Sequence, residues 1–376
     1  MKRLLIATDC FLPRWDGIAR FLSEIIPKIK HDFKITVIAP DFKGNYLNKD
    51  EIDIIRIPIY KFQLGDFQPA KFKSKIIRKE VEKADIIWSQ TIGSVGSLAI
   101  KHGKRLKKPV FAFVHSIEWE LVSSSLTKNN ALKKIVYFLT ESFAIRTYKK
   151  CSLLMVPSKE TAKQLKDINT PKTIIYLGTN TERFFPSKNK EESKRIINID
   201  HENHVIGFCG RIGREKDLDT LYRTFLRLEE KYNNIKLLIV GKGLKSEEEY
   251  LRQKKNVIIT GAVNNVVPYL QAMDIYVLPS LTETSSLSTM EAMSCGLPIV
   301  TTKVGYVQKY IKEKENGLFF PKQNDYVLSL KLKWLIENKI FRKMLGENAR
   351  KTAVNRFSWD KTAAKIKIAL GKKSFQ

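Results

Sequence analysis

Short apolar runs alternate along the chain with stretches in which apolar residues recur every three or four positions, the pattern of buried strands separated by helices. In the first half the runs fall at 3–8, 34–39, 52–57, 84–88, 110–114, 153–156 and 173–176, with the first helical stretch at 17–29. A polar segment covers 187–203, and the alternation then restarts. Strands are predicted at 204–208, 235–240, 257–260, 275–278 and 297–301, and helices at 217–232, 246–253, 266–273 and 288–294. Strands that alternate with helices pair in parallel, so the expected class is α/β with two facing, doubly wound, Rossmann-like domains and a ligand cleft between them. The chain's 376 residues exceed what one core usually holds. The segment from Pro186 to about Ile199 has linker composition. The expected division is therefore an N-terminal domain over 1–185, a second domain over 186–355, and a C-terminal helix within 356–376 that crosses back to the first.

Composition narrows the class without naming a function. A 43% hydrophobic and 28% charged chain can bury a core, which excludes a disordered protein. The apolar run at the N-terminus is broken by Asp9, too short for a membrane span and without a cleavage-site pattern, so it is read as a first buried strand. The four cysteines at 10, 151, 209 and 295 lie far apart and sit among apolar residues. That suits core fillers in a reducing cytoplasm and gives no zinc pattern. Lys plus Arg total 67 against 39 Asp plus Glu, a formal +28. Such an excess favours a polyanionic partner, whether an anionic membrane surface, phosphorylated ligands or nucleic acid. A Lys-rich composition dispersed over the whole surface gives the same number, and both readings stand.

In open α/β sheets ligands gather beyond the carboxyl ends of the strands, so the candidate chemistry lies in the loops that leave each apolar run. The loop Asp9 to Gly17 ends just before a helix, where Gly17 either lets an anion approach the helix amides or serves only as a turn. His115 comes after the strand at 110–114; it either donates a hydrogen bond into a site or is a partly exposed turn residue. Gly210-Arg211-Ile-Gly213-Arg-Glu-Lys216 puts two glycines and two fixed cations between a strand and a helix, where a diphosphate would dock. Asp217 and Asp219 mimic a metal-binding D-x-D pair, but at a helix start they fit capping and dipole complementarity better, so no metal is expected. Gly241-Lys-Gly243 begins a dinucleotide pattern that fails at Ser246, which argues against a nicotinamide enzyme. The richest stretch is Leu278-Pro-Ser280-Leu-Thr-Glu283, continuing through Leu287 to Glu291 and Gly296. A Ser/Thr loop there carries Glu283 and the helix after it carries Glu291, two carboxylates suited to accepting hydrogen bonds from sugar or ribose hydroxyls.

Glu283 and Glu291, with seven residues between them and Ala-Met-Ser-Cys-Gly-Leu-Pro after, resemble the motif of the retaining nucleotide-sugar glycosyltransferases of the GT-B fold, in their large fourth family. Gly210-Arg211 with Lys216, Val156-Pro157-Ser158, Tyr176-Leu-Gly-Thr-Asn180 and Arg356-Phe-Ser-Trp359 extend the resemblance over nearly the whole chain. It implies that Arg211 and Lys216 bind the donor diphosphate, that Glu291 holds the ribose, and that Glu283 lies beside the donor sugar. It also implies that His115 sits near that sugar, that Gly17 completes the phosphate site, and that Val263 and Leu287 belong to the nucleotide site. No cofactor is expected beyond the donor substrate, a UDP- or GDP-linked sugar. The sequence departs from the family at Ser285-Ser286, where many members carry Phe-Gly, and at Asp16-Gly17, where many carry paired glycines.

The expected partners are a nucleotide sugar, a lipid, lipid-linked or polysaccharide acceptor, and an anionic membrane surface. The segments 71–80 and 132–150 both mix basic and apolar residues at helical spacing. Each is either a helix lying on a bilayer or an amphipathic helix covering the sheet. A cytoplasmic protein attached peripherally to the inner membrane face is the expectation. The rival classes are a GT-B epimerase or phosphorylase and a basic nucleic-acid binder; no aromatic-basic reader motif supports the latter.

Overall fold

The computed structural model describes residues 1–63, 67–126 and 129–371. The chain divides into two compact units, one formed by Met1–Tyr176 with the final helix, the other by Leu177–Ser358. In the first unit the order is β1 (Lys2–Ala7), α1 (Gly17–Ile29), β2 (Phe33–Pro40), β3 (Asp53–Ile57), α2 (Ser74–Lys83), β4 (Ile86–Ser89) and α3 (Ser94–Arg105). It continues with β5 (Val110–Phe113), α4 (Glu118–Leu126), α5 (Asn130–Tyr148), β6 (Leu153–Val156), α6 (Lys159–Gln164) and β7 (Lys172–Ile174). The seven strands pair in parallel in the order β3-β2-β1-β4-β5-β6-β7, with Leu4 opposite Ile35 on one side and Ile86 on the other. Leu4, Leu5 and Ile6 are buried because helices cover both faces of the sheet, which is why this strand reads as an unbroken apolar run.

The second unit runs α7 (Lys190–Ile196), β8 (His204–Cys209), α8 (Leu218–Glu229), β9 (Ile235–Val240), α9 (Lys245–Leu251), β10 (Val257–Ile259) and α10 (Val267–Ala272). Then come β11 (Ile275–Leu278), α11 (Leu287–Ser294), β12 (Ile299–Thr302), α12 (Val307–Tyr310), β13 (Gly317–Phe320), α13 (Asp325–Glu337) and α14 (Lys339–Arg356). Its six strands are parallel in the order β10-β9-β8-β11-β12-β13. The last helix, α15 (Trp359–Gly371), packs in the first unit. Trp359 meets Phe21 of α1 edge-on at 6.0 Å, Lys28 pairs with Asp360 at 2.6 Å, and the Thr362 hydroxyl donates to the Tyr176 carbonyl at 2.7 Å. Residues 372–376 of the expected C-terminal segment lie outside the described residues.

The boundaries differ from the sequence expectation. The chain changes unit between residues 176 and 177, not 185 and 186. Arg350 of α14 donates to the carbonyls of Thr181, Phe184 and Ser294 and so ties the 177–186 stretch to the second unit. The return falls between 358 and 359 rather than at 355. The linker-like segment from Pro186 is no linker either: it contains α7, which lies against α10. Its lysines are structural, with Lys190 Nζ on the Gln271 and Met273 carbonyls and Lys194 Nζ on Asp274 at 2.9 Å.

At the end of β1, Asp9 is buried and accepts from the Thr91 and Ser94 hydroxyls and from the backbone amides of Val95 and Gly96, which caps α3. A side chain at Gly93 would place its Cβ 2.5 Å from the Asp9 carboxylate carbon, so glycine is required there. Nearby, the Tyr148 hydroxyl of α5 donates to Glu118 Oε1 of α4 at 2.5 Å, while Glu118 Oε2 is buried with no hydrogen-bond partner. Burial pushes the Glu118 carboxyl up to about 7, the tyrosine bond pulling the other way. Asp9→Asn keeps the shape but turns one acceptor into a donor facing amides, and should cost about 1–3 kcal/mol of unfolding free energy in a denaturant titration. For Glu118, the folded chain holds a proton between pH 4.5 and about 7 that the unfolded chain has released, so this group's contribution to stability falls as pH rises through that window. Glu118→Gln should therefore melt a few degrees above wild type at pH 8, by about 2–4 °C for each kcal/mol, and together with it at pH 4.

Candidate active site

Both sheets have a point where the strand order reverses: between β1 and β4 in the first unit and between β8 and β11 in the second. There the loops leaving two adjacent strands turn to opposite faces and open a crevice. In the second unit the crevice is crossed by a side-chain pair. Lys216, in the 3-10 turn Arg214–Lys216 after β8, places Nζ 2.5 Å from Glu283 Oε1 in the loop after β11, and the Ser280 hydroxyl donates to the same oxygen at 3.0 Å. Backbone closes the same gap, with the Leu281 amide donating to the Glu215 carbonyl at 2.8 Å.

Arg211 does not stand open as the sequence suggests. It forms an ion pair with Glu215, which is almost wholly buried and whose Oε2 has no hydrogen-bond partner. Both cations of the expected diphosphate site thus have a carboxylate beside them, Glu215 for Arg211 and Glu283 for Lys216. Asp217 is left-handed (φ 51°) at the cap of α8 and accepts from the Thr220 hydroxyl at 2.8 Å; burial pushes its carboxyl up to about 6. Asp219 pairs with Arg223 at 3.3 Å and accepts from the Tyr250 hydroxyl at 2.8 Å. Among the described residues no group of three His, Cys, Asp or Glu side chains stands close enough to share a metal ion.

Gly241 and Gly243 have a packing role. A Cβ on Gly241 would lie 1.9 Å from the Gly210 carbonyl oxygen, and one on Gly243 would lie 1.8 Å from that of Ile212. The loop after β9 presses on the Arg211 loop backbone to backbone, with a bridge between Ile212 and Gly243, and on its other side Gly241 bridges to Gly261 after β10. Half-buried Val263 stands two residues on, beyond the carboxyl end of β10.

Leu287 is the first residue of α11 and Glu291 lies one turn further, so both stand beside the Glu283 loop. That loop is held from below. Tyr276 of β11 donates to Ser288 Oγ at 2.9 Å, Tyr310 of α12 donates to the Ser285 carbonyl at 2.8 Å, and the Tyr306 amide donates to the Thr284 carbonyl at 2.8 Å. Ser286, where many family members have glycine, keeps the left-handed conformation (φ 57°) that glycine tolerates, and shares a hydrogen bond at 2.8 Å with Thr289. The Ser285 hydroxyl beside it is buried with no hydrogen-bond partner. Sequence reasoning does not single out Glu215, Tyr276 or Tyr310. A tyrosine inside an apolar run and a glutamate in a charged loop look like core and surface, and only the Ser285-Ser286 departure gives a signal.

His115 and Gly17 belong to the first unit. His115 lies just after β5, stacked on Phe113 at 4.5 Å with Phe21 edge-on at 4.9 Å, and its Nε2 lies 2.9 Å from Gln90 Oε1. Burial pushes its pKa down to about 3, so the imidazole is neutral at physiological pH and its Nε2–H points at Gln90. Gly17 opens α1, where Asp16 accepts from the amides of Ile18 and Ala19 at 3.0 and 2.9 Å. The amides expected to meet an anion therefore already face a carboxylate. The space where a Cβ of Gly17 would stand is open.

Comparison with known proteins agrees with this architecture. Residues 189–352 match the family Glycosyl transferases group 1, and residues 15–183 match Glycosyltransferase Family 4. The chain is 26% identical to an alpha-monoglucosyldiacylglycerol synthase of Acholeplasma laidlawii over 87% of each chain. It is 29% identical to the capsular polysaccharide biosynthesis glycosyltransferase CapM of Staphylococcus aureus, over 94% of this chain and 92% of that one. Its fold matches that of Anabaena HepE, solved in complex with UDP-glucose, with a TM-score of 0.78 at 17% identity over 99% of this chain and 100% of that one. Two parallel sheets of the GT-B type, carrying the Glu283 and Glu291 pair beyond the switch point of the second, identify the chain as a member of the group 1 glycosyltransferases.

Proposed function

We propose that this glycosyltransferase moves a hexosyl unit from a UDP- or GDP-linked sugar to a lipid, lipid-linked or polysaccharide acceptor, with retention of anomeric configuration and without a metal ion. The observation that carries the reading is the Lys216–Glu283 contact across the switch point, with Glu291 one helical turn into α11. A cation, a carboxylate for sugar hydroxyls and a second carboxylate for ribose then stand along one crevice, each suited to one part of a sugar nucleotide. Arg211 and Lys216 stabilise the charge that builds on the leaving diphosphate, a preorganised electrostatic effect. Glu283 orients the sugar and stabilises positive charge at its anomeric carbon, and the departing phosphate takes the acceptor hydroxyl's proton on the same face. Metal independence is supported by Asp217 and Asp219, which are engaged with Thr220, Arg223 and Tyr250. Val263, beyond the carboxyl end of β10 in the same unit, suits a contact to the base.

The acceptor class is supported by the relatives named for glucosyldiacylglycerol and capsular polysaccharide synthesis. No helix among the described residues is long and apolar enough to cross a membrane, so attachment to the cytoplasmic membrane face would be peripheral.

A heat-stability screen against nucleotides and sugar nucleotides tests the donor. One sugar nucleotide should raise the melting temperature, since ligand at about a hundred times its Kd adds about 2.7 kcal/mol, and Glu291→Ala should shrink the shift. No shift with any of them, beside a clear one with NAD or a polynucleotide, would sink the reading. In a transfer assay with that donor, Lys216→Met should lower kcat about a hundred- to thousandfold while the protein keeps its fold by circular dichroism.

A further inference from the structure

The two basic, apolar segments of the first unit differ in where their apolar residues go. In α2 Ile77 and Val81 are fully buried and cover the sheet, leaving Ile76 as the one exposed apolar residue of that helix. In α5 only Ala144, Thr147 and Tyr148 are buried, all near its carboxyl end. Leu132, Ile135, Leu139 and Phe143 recur at intervals of three, four and four and form one stripe, with Phe138 on its flank. These five residues keep 48–67% of their surface exposed. Soluble proteins seldom leave so much contiguous apolar surface on one helix.

The same helix is basic. Lys133, Lys134, Arg146, Lys149 and Lys150 border or come after the stripe, against Glu141 as its one acid. Asn130, Lys133, Lys134 and Tyr137 line a shallow depression at its start, so two ammonium groups and a phenol stand next to the apolar stripe. An apolar face bordered by cations complements an anionic bilayer, where side chains enter the acyl boundary while lysines meet lipid phosphates. A second copy fits worse, since it would bring another basic rim from a chain of net charge +28.

We infer that the exposed stripe of α5 is the surface by which this protein docks on an anionic membrane, and that α2 is not. The inference rests on the proposed action at the membrane face and adds the element that reaches it. Full-length protein is sedimented with phosphatidylcholine vesicles, with and without phosphatidylglycerol. Wild type should partition onto the anionic vesicles only. Leu139→Gln with Phe143→Gln should reduce that partitioning by about tenfold or more, and so should Lys133→Glu with Lys134→Glu. Wild type left in the supernatant overturns the inference, and so do variants that bind as wild type does. Light scattering that shows a wild-type dimer, dissolved by the Gln variants without any vesicle binding, also overturns it and assigns the face to a second copy. All positions are at the surface, and each variant is checked for an unchanged melting temperature. The sugar-nucleotide shift in the same samples reports separately on the transferase reading: vesicle failure with the shift intact removes only the docking surface.

Discussion

A parallel sheet that is wound both ways from one strand cannot close the gap where its connections diverge, because the two loops at that point leave toward opposite faces. Each unit of this protein spans that gap with a carboxylate. In the first, Asp9 at the end of β1 reaches across to the amides that begin α3. In the second, Glu283 after β11 reaches across to Lys216 after β8. The positions of the other site residues depend on these two ties. Fixing Glu283 fixes the entry into α11 and with it Leu287 and Glu291, while Asp9 fixes the loop that leads through Asp16 into α1.

The two ties are built differently. Asp9 is saturated by hydroxyls and amides and serves as a fixed joint. Glu283 has the Ser280 hydroxyl and the Lys216 ammonium on one oxygen, in a loop whose backbone carbonyls accept from the Tyr306 amide and the Tyr310 hydroxyl. The backbone is thus rigid while its charged groups face the crevice, the arrangement expected where a site must be preorganised yet open to a ligand.

Much of the architecture is legible along the chain because strands covered on both faces are uninterrupted apolar runs, as at 110–114 and 275–278. The pattern assigns no element between residue 301 and the C-terminal segment, and α13 and α14 emerge only with the structure. The stretch from Pro186 looks like a linker because it opens on Pro and is largely polar and charged; Lys190 and Lys194 are in fact anchored on carbonyls and on Asp274, contacts about 80 residues distant in sequence. The candidate residues themselves are legible from their motif, but the partner of each is not. Lys216 and Glu283 are 67 positions apart and meet only because β8 and β11 are neighbours. Glu215 beside Arg211 looks like one more surface charge in a loop.

Gly241 and Gly243 carry no side chain that a ligand could meet, yet they touch the carbonyls of Gly210 and Ile212 with no atom between. Any larger residue there would wedge the β9 loop away from the β8 loop and carry Arg211 with it. In evolutionary terms these two positions are as unfree as the ones that face the substrate: a methyl group at this seam would be lost by selection although it lies outside the chemistry.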